Sequence, residues 1–103
     1  MALPELTPEQ RSAALEKAAA ARVARAEVKN RLKYSGGRLS EVLERARTDE
    51  AIGRLRVLAL LESLPGVGRV TAREIMAEVG IAESRRVRGL GPNQSAELVA
   101  RFG

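Results

Sequence analysis

Residues 64–73, LPGVGRVTAR, interrupt a chain whose remaining pattern is helical. Pro65 restrains the backbone as it leaves an apolar helix, and Gly66 and Gly68 permit positive φ angles and leave one face of the loop without side chains. The next helix follows at once, and its first backbone N–H groups lack helical partners at the positive end of the helix dipole. The stretch therefore predicts a phosphate site, with a plain helix–helix connection as the alternative.

Side chains beside the loop would add to such a site. Arg69 and Arg73 bring positive charge one helical turn apart, and Thr71 brings a hydroxyl donor. Val67 is expected to point inward and to anchor the loop on the core. A plain connection accounts for the proline and one glycine, but it does not account for two glycines beside two arginines.

The sequence on both sides of the loop predicts a small all-α domain of about five helices, because no segment alternates with the two-residue period of a strand. Thr7, Pro8 and Gln10 have the spacing of a capping box, and the helix that they start continues to about Lys33. The glycines of YSGGR end this helix. Ser40 is expected to cap a short helix after it.

The core is expected to consist of Leu, Val and Ile, since Tyr34 and Phe102 are the only aromatic residues. Its centre would be the apolar stretch RLRVLALLES, in a helix capped by Thr48 or Asp49 and interrupted at Gly53. Two further helices follow the loop. The other side chains expected to face inward are Leu39, Val42, Leu43, Ala46, Val70, Ile75, Met76, Val79, Leu98, Val99 and Phe102.

Residues 1–20 are expected to form a helical, mobile arm in front of a domain at residues 21–103. Leu15 is the only large apolar residue in the first half of the long helix, and burying alanine gains little apolar area. In the second half, Val28 and Leu32 form an apolar edge. Basic residues at helical spacing form a stripe beside it: Arg22, Arg25, Lys29 and Lys33.

Charge and composition limit the possible functions. The chain has 103 residues, a net charge of +5 and neither Cys nor His. A basic domain favours polyanionic partners, whereas the missing residue types exclude disulfides and thiol nucleophiles, disfavour zinc and remove the usual general base. No apolar run has the length of a membrane span, so we expect a cytoplasmic protein.

The segment SRRVRG adds a second basic cluster. Arg85, Arg86 and Arg88 surround Val87, and if Val87 is buried the three arginines are expected to fan outward at one place. Arginine binds phosphate in a bidentate manner. A solvated surface segment is the alternative, and it is stronger for Lys29 and Lys33, which we regard as a secondary contact surface.

The stretch ESLPGVGRVTAREIMAEVGI resembles the helix–two-turn–helix motif of small-subunit ribosomal proteins and of formamidopyrimidine-type DNA glycosylases. The wider chain is more similar to one family, the actinobacterial integration host factors, which are small nucleoid-associated DNA-binding proteins. The similarity covers nearly the whole chain and rests on the segments ALPELTPEQRSAALEKAAAARVARAEVKNRLK, LPGVGRV and RRVRGLG and on the final FG. It implies a helix–two-turn–helix domain with a long N-terminal helical arm.

The similarity also implies that loop amides and flanking basic side chains hold duplex DNA. The residues that take this role are Gly66, Val67, Gly68, Arg69, Thr71, Arg85, Arg86 and Arg88, and we add Arg73, Lys29 and Lys33. Because phosphate contacts do not read sequence, we expect an architectural nucleoid protein with little sequence specificity. It would bend or bridge DNA and assist compaction, transcription and site-specific recombination, as a free monomer without cofactor, small-molecule substrate or membrane partner.

Three other functions remain open. An RNA-binding or ribosome-associated protein would use the same motif, although this chain ends in ELVARFG and lacks aromatic residues for stacking. A glycosylase or nuclease is disfavoured, because such glycosylases use an N-terminal proline and a zinc finger. A protein-interaction module would tolerate reversal of the charges in SRRVRG.

Overall fold

The computed structural model describes residues 5–103, which form six α-helices and one 3-10 turn. The helices are α1 (Pro8–Tyr34), α2 (Leu39–Ala46), α3 (Glu50–Gly53), α4 (Val57–Glu62), α5 (Arg69–Val79) and α6 (Pro92–Phe102), and the 3-10 turn is Val87–Gly89. The all-α prediction is confirmed. Residues 1–4, where the predicted arm starts, lie outside the described residues.

Helix α1 begins as its sequence predicts. The N–H of Gln10 donates to Thr7 Oγ1 at 3.1 Å, and the N–H of Thr7 donates to Gln10 Oε1 at 3.0 Å, which completes the capping box. Every residue from 5 to 20 is exposed, whereas Val28 and Leu32 are buried. The N-terminal half of α1 therefore contributes nothing to the core, and the division into arm and domain stays a prediction.

The predicted central helix is two helices in the structure. Asp49 caps α3 by accepting from the N–H of Ala51 at 3.0 Å, and α3 ends at Gly53. Helix α4 starts only at Val57. Of the two predicted caps, the structure uses Asp49, and the interruption at Gly53 is confirmed, but the sequence does not show that the chain leaves the helix for three residues.

A pairing with a distant segment explains this interruption. The N–H of Val57 donates to the carbonyl oxygen of Arg85 at 3.0 Å, and the N–H of Val87 donates to that of Leu55 at 2.8 Å. Together they make an isolated antiparallel bridge, outside any strand, within the described part of the chain. Because backbone groups that a continuous helix would use are paired across the molecule, the helix stops there.

The core is aliphatic and draws on every helix. Helix α1 packs on α3, α2 packs on α3 and α6, and α5 packs on α4 and α6. None of the described helices is long and apolar enough to cross a membrane. Tyr34 stays outside the core with 78% of its surface exposed. The fully buried side chains include Leu32, Leu39, Ile52, Val57, Leu60, Leu61, Met76 and Leu98.

Two local predictions are wrong. Helix α2 begins at Leu39, one residue before Ser40, and the N–H of Ser40 donates to the carbonyl oxygen of Gly103 at 3.0 Å. Val70 is 69% exposed instead of facing inward. It lies about 200° around α5 from the buried Ala72, because each helical residue turns by about 100°.

Candidate nucleic-acid interface

The loop between α4 and α5 begins with a tight turn at residues 64–67. The N–H of Val67 donates to the carbonyl oxygen of Leu64 at 3.1 Å, across Pro65 and Gly66. Gly66 has a φ of +75°, the left-handed value that the third residue of a type II turn requires. The Val67 side chain packs against the core, as predicted. Its amide is taken by the turn, so Val67 anchors the loop and does not offer its N–H to a ligand.

Gly68 serves a different purpose from the one expected. It is the N-cap of α5 with a φ of −91° and a ψ of −179°, an extended conformation open to any residue. Gly68 does not use the positive φ that a glycine permits, because the turn reverses the chain at Gly66 alone. A Cβ atom at either glycine would meet nothing within 4 Å. Both glycines thus leave clear space in front of the helix.

The first turn of α5 presents unpaired backbone donors. No side chain caps this helix. Within residues 5–103, no acceptor is hydrogen-bonded to the N–H groups of Gly68, Arg69, Val70 or Thr71, and the first regular bond runs from Ala72 to the carbonyl oxygen of Gly68 at 2.9 Å. These amides are at the positive end of the helix dipole, and the space beside Gly66 and Gly68 is open, an arrangement suited to an anion.

The basic side chains of α5 are held by carboxylates. Arg69 Nε lies 2.9 Å from Glu62 Oε1, and Arg73 Nε lies 3.1 Å from Glu83 Oε1. Thr71 is exposed between the two arginines. Neither carboxylate was predicted from the sequence, because the two pairs join residues seven and ten positions apart across non-helical chain. No regular helical spacing marks such pairs.

The arginines of residues 85–88 do not all fan outward. Val87 is buried, as predicted. Arg85 Nη1 donates to a carbonyl oxygen of the 3-10 turn at 2.6 Å, and Arg86 Nη1 donates to the carbonyl oxygen of Arg54 at 2.6 Å. Arg88 is exposed, and no described residue accepts a hydrogen bond from it. Two of the three arginines therefore tie the backbone together, and only the Arg88 side chain has no acceptor among the described residues.

The predicted site residues lie on three parts of the chain. The ion pair between Arg73 and Glu83 holds residue 83 against the second turn of α5. Lys29 and Lys33 lie on α1, half-buried and exposed respectively, and α1 packs chiefly on α3. The arginine segment itself pairs with residues 55–57, and the 3-10 turn at its end packs on α2 and α3.

The C-terminal end of α5 is joined to α6 by side-chain hydrogen bonds. Gln94 Oε1 accepts from the N-cap amide of α6, and its Nε2 donates to the carbonyl oxygen of Gly80 at 2.9 Å. Arg101 joins α6 to α5 by hydrogen bonds to Glu78 and, within α6, to Glu97, and these bonds raise the pKa of Arg101 above its ordinary value. Gln94 therefore caps α6 and joins its start to the end of α5.

Comparison with known proteins gives consistent matches along the whole chain. Residues 32–102 match the family described as S13-like H2TH domain. The chain is 66% identical over 103 residues to the integration host factor of Streptomyces coelicolor and 60% identical over 103 residues to that of Mycobacterium tuberculosis, covering all of this chain and 96% and 98% of theirs. A solved chain described as sIHF bound to an 8bp palindromic DNA superposes with a TM-score of 0.82 at 62% identity, over 85% of this chain and 99% of that one.

Proposed function

This chain belongs to the actinobacterial integration host factor family, and from that membership we propose that it binds duplex DNA as a nucleoid-associated architectural protein. The observation that carries the proposal is the start of α5, where four amides without a partner among residues 5–103 follow a loop whose two glycines border open space. A solved relative described as bound to DNA supports the same partner. The proposed role is non-catalytic and lies in the cytoplasm, at the nucleoid.

Phosphate capture by the open helix end is the proposed mechanism. A backbone phosphate would accept from the amides of Gly68, Arg69, Val70 and Thr71, whose donors have no other partner among the described residues. Hydrogen bonds to a charged acceptor are stronger than neutral ones, and the helix dipole adds to them. Thr71 and Arg73 are both exposed on the same helix, about 200° apart around its axis. Such contacts hold the backbone and predict little sequence preference.

The second basic surface extends this proposal to DNA architecture. Lys29 and Lys33 lie on α1, which packs chiefly on α3, and Arg88 lies in the 3-10 turn, which packs on α2 and α3. Two separated contact surfaces on one small, monomeric protein would bend a duplex or bridge two of them. Compaction, transcription and site-specific recombination are the processes that such a protein assists.

The decisive experiment compares a random 20-base-pair duplex with an RNA hairpin of similar length across a salt series. For the duplex we expect tight binding with a log–log salt slope of about −0.9 per phosphate engaged. The match to an S13-like domain makes RNA the alternative partner. Preference for the hairpin, or a flat slope with both ligands, would reject the DNA proposal.

A substitution at Gly68 tests the role of the open amides. In Gly68→Asp the new carboxylate at the N-cap would accept the very amides that the phosphate needs, because Asp is a preferred capping residue. We expect DNA binding to be nearly abolished with helix content intact. Gly68→Asn is the matched control, since it caps without a negative charge and should lose less affinity. Normal binding by Gly68→Asp would reduce the loop to a connector.

A further inference from the structure

Glu62 and Arg69 form an ion pair that spans the loop. Glu62 is the last residue of α4, Arg69 is the first residue of α5, and Arg69 Nε donates to Glu62 Oε1 at 2.9 Å. The Glu62 side chain is 29% exposed, whereas that of Arg69 is 66% exposed. A partly buried carboxylate thus holds a guanidinium whose side chain is mostly exposed.

The geometry of this pair leaves the two terminal amino groups of the Arg69 guanidinium without a hydrogen-bond partner among the described residues. Glu62 takes the Nε–H on the side of the guanidinium, and within residues 5–103 no hydrogen bond occupies Nη1 or Nη2 of Arg69. The two terminal amino groups are the donors that bind a phosphate in a bidentate manner. Arg69 also contributes one of the four open amides of α5.

We propose that Glu62 is a positioning residue for DNA binding: it holds the Arg69 guanidinium at the start of α5, with both terminal amino groups free for a phosphate. The proposal rests on the proposed function, because it presumes that a DNA phosphate occupies this helix end. Ordering a long side chain in advance removes part of the entropy loss that DNA binding would otherwise cause. Glu62 would therefore raise DNA affinity although it carries the same charge as DNA.

The sign of the effect separates positioning from simple electrostatics. Removal of an acidic residue near a phosphate normally strengthens DNA binding, because one repulsive charge disappears. Removal of a positioning residue weakens binding, because Arg69 then samples many rotamers. For Glu62→Ala we expect an affinity loss of about two- to tenfold, from the range for immobilising one flexible side chain. The salt slope should fall by up to about 0.9 if Arg69 leaves its phosphate.

The test measures duplex affinity across a salt series for a small set of variants. Glu62→Gln keeps an acceptor oxygen at the same position and should restore most of the affinity lost in Glu62→Ala. Glu74→Ala is the matched control, since Glu74 is exposed on α5 and has no ion pair within the described residues. It should bind as tightly as the unmodified protein or slightly more tightly. In an Arg69→Ala background, Glu62→Ala should cause no further loss.

The results distinguish positioning by Glu62 from competition with DNA, from a general effect on the fold and from failure of the proposed function. Equal or tighter binding by Glu62→Ala, with unchanged circular dichroism and melting temperature, would overturn the proposal and make Glu62 a competitor of DNA. A loss that persists in the Arg69→Ala background would also overturn it, because the effect would then be general to the fold. If the unmodified protein shows no salt-dependent duplex binding, the proposed function fails instead, and that result is separate from any comparison of variants.

Discussion

Gly66 and Gly68 are two residues apart, yet the backbone makes different demands at each of them. Gly66 has a positive φ and Gly68 does not. Gly66→Ala should therefore destabilise the fold by about 1–2 kcal/mol, the cost of a left-handed conformation in an L-residue, which lowers the melting temperature by several degrees. Gly68→Ala should change stability by less than about 0.5 kcal/mol. Thermal denaturation of both variants checks this, and equal losses would contradict it.

Substitutions of Arg86 and Arg88 should likewise have different effects on stability and on DNA binding. Arg86 donates to the carbonyl oxygen of Arg54, whereas Arg88 has no acceptor among the described residues. We expect Arg86→Ala to cost about 1 kcal/mol of stability, as is typical for one hydrogen bond. Arg88→Ala should leave stability unchanged and weaken duplex binding severalfold. Denaturant titration and gel shifts on the two variants measure both quantities, and the reverse pattern would show that Arg86 is the DNA contact.

At the scale of the secondary-structure element, the two halves of α1 differ in how far their side chains pack against the domain. Its first half buries no side chain, and its ion pair with α3, Lys17 to Glu50 at 3.9 Å, is 80% and 55% exposed, so it contributes little. Its second half is fixed by Val28 and Leu32. We expect amide hydrogen exchange of residues 12–20 to be at least about tenfold faster than that of residues 28–32, because local opening there breaks no packing. Uniform protection along α1 would mean that the arm is held against the domain.

The elements also show what the sequence can and cannot predict. The start of α1 and the cap of α3 were predicted correctly, because Thr7 and Asp49 act on amides two or three residues away. The gap between α3 and α4 was not predicted, since it depends on hydrogen bonds to a segment about thirty residues later. The carboxylate partners of Arg69 and Arg73 were missed for the same reason. Features that depend on residues a few positions apart can therefore be predicted from the sequence, whereas features that depend on tertiary contacts cannot.

For the whole molecule, the arrangement of two basic surfaces predicts a visible effect on DNA shape. Atomic force images of linear DNA should show a changed bend distribution or crossings between duplexes after the protein is added. Lys29→Glu combined with Lys33→Glu should reduce the bends or crossings and retain most single-duplex affinity, because the loop surface is intact. An unchanged contour length and bend distribution with the unmodified protein would contradict the architectural role.

The exposed position of Tyr34 has a spectroscopic consequence. With no tryptophan in the chain and its one tyrosine already in water, the usual rise or shift of emission on unfolding should be nearly absent. Folding is then better followed by far-ultraviolet circular dichroism. The same phenol stands directly after Lys33, at the end of the second basic surface. Its fluorescence should change little on denaturation, but it should change when a duplex lies along α1. Tyrosine emission would therefore report DNA binding at that surface alone.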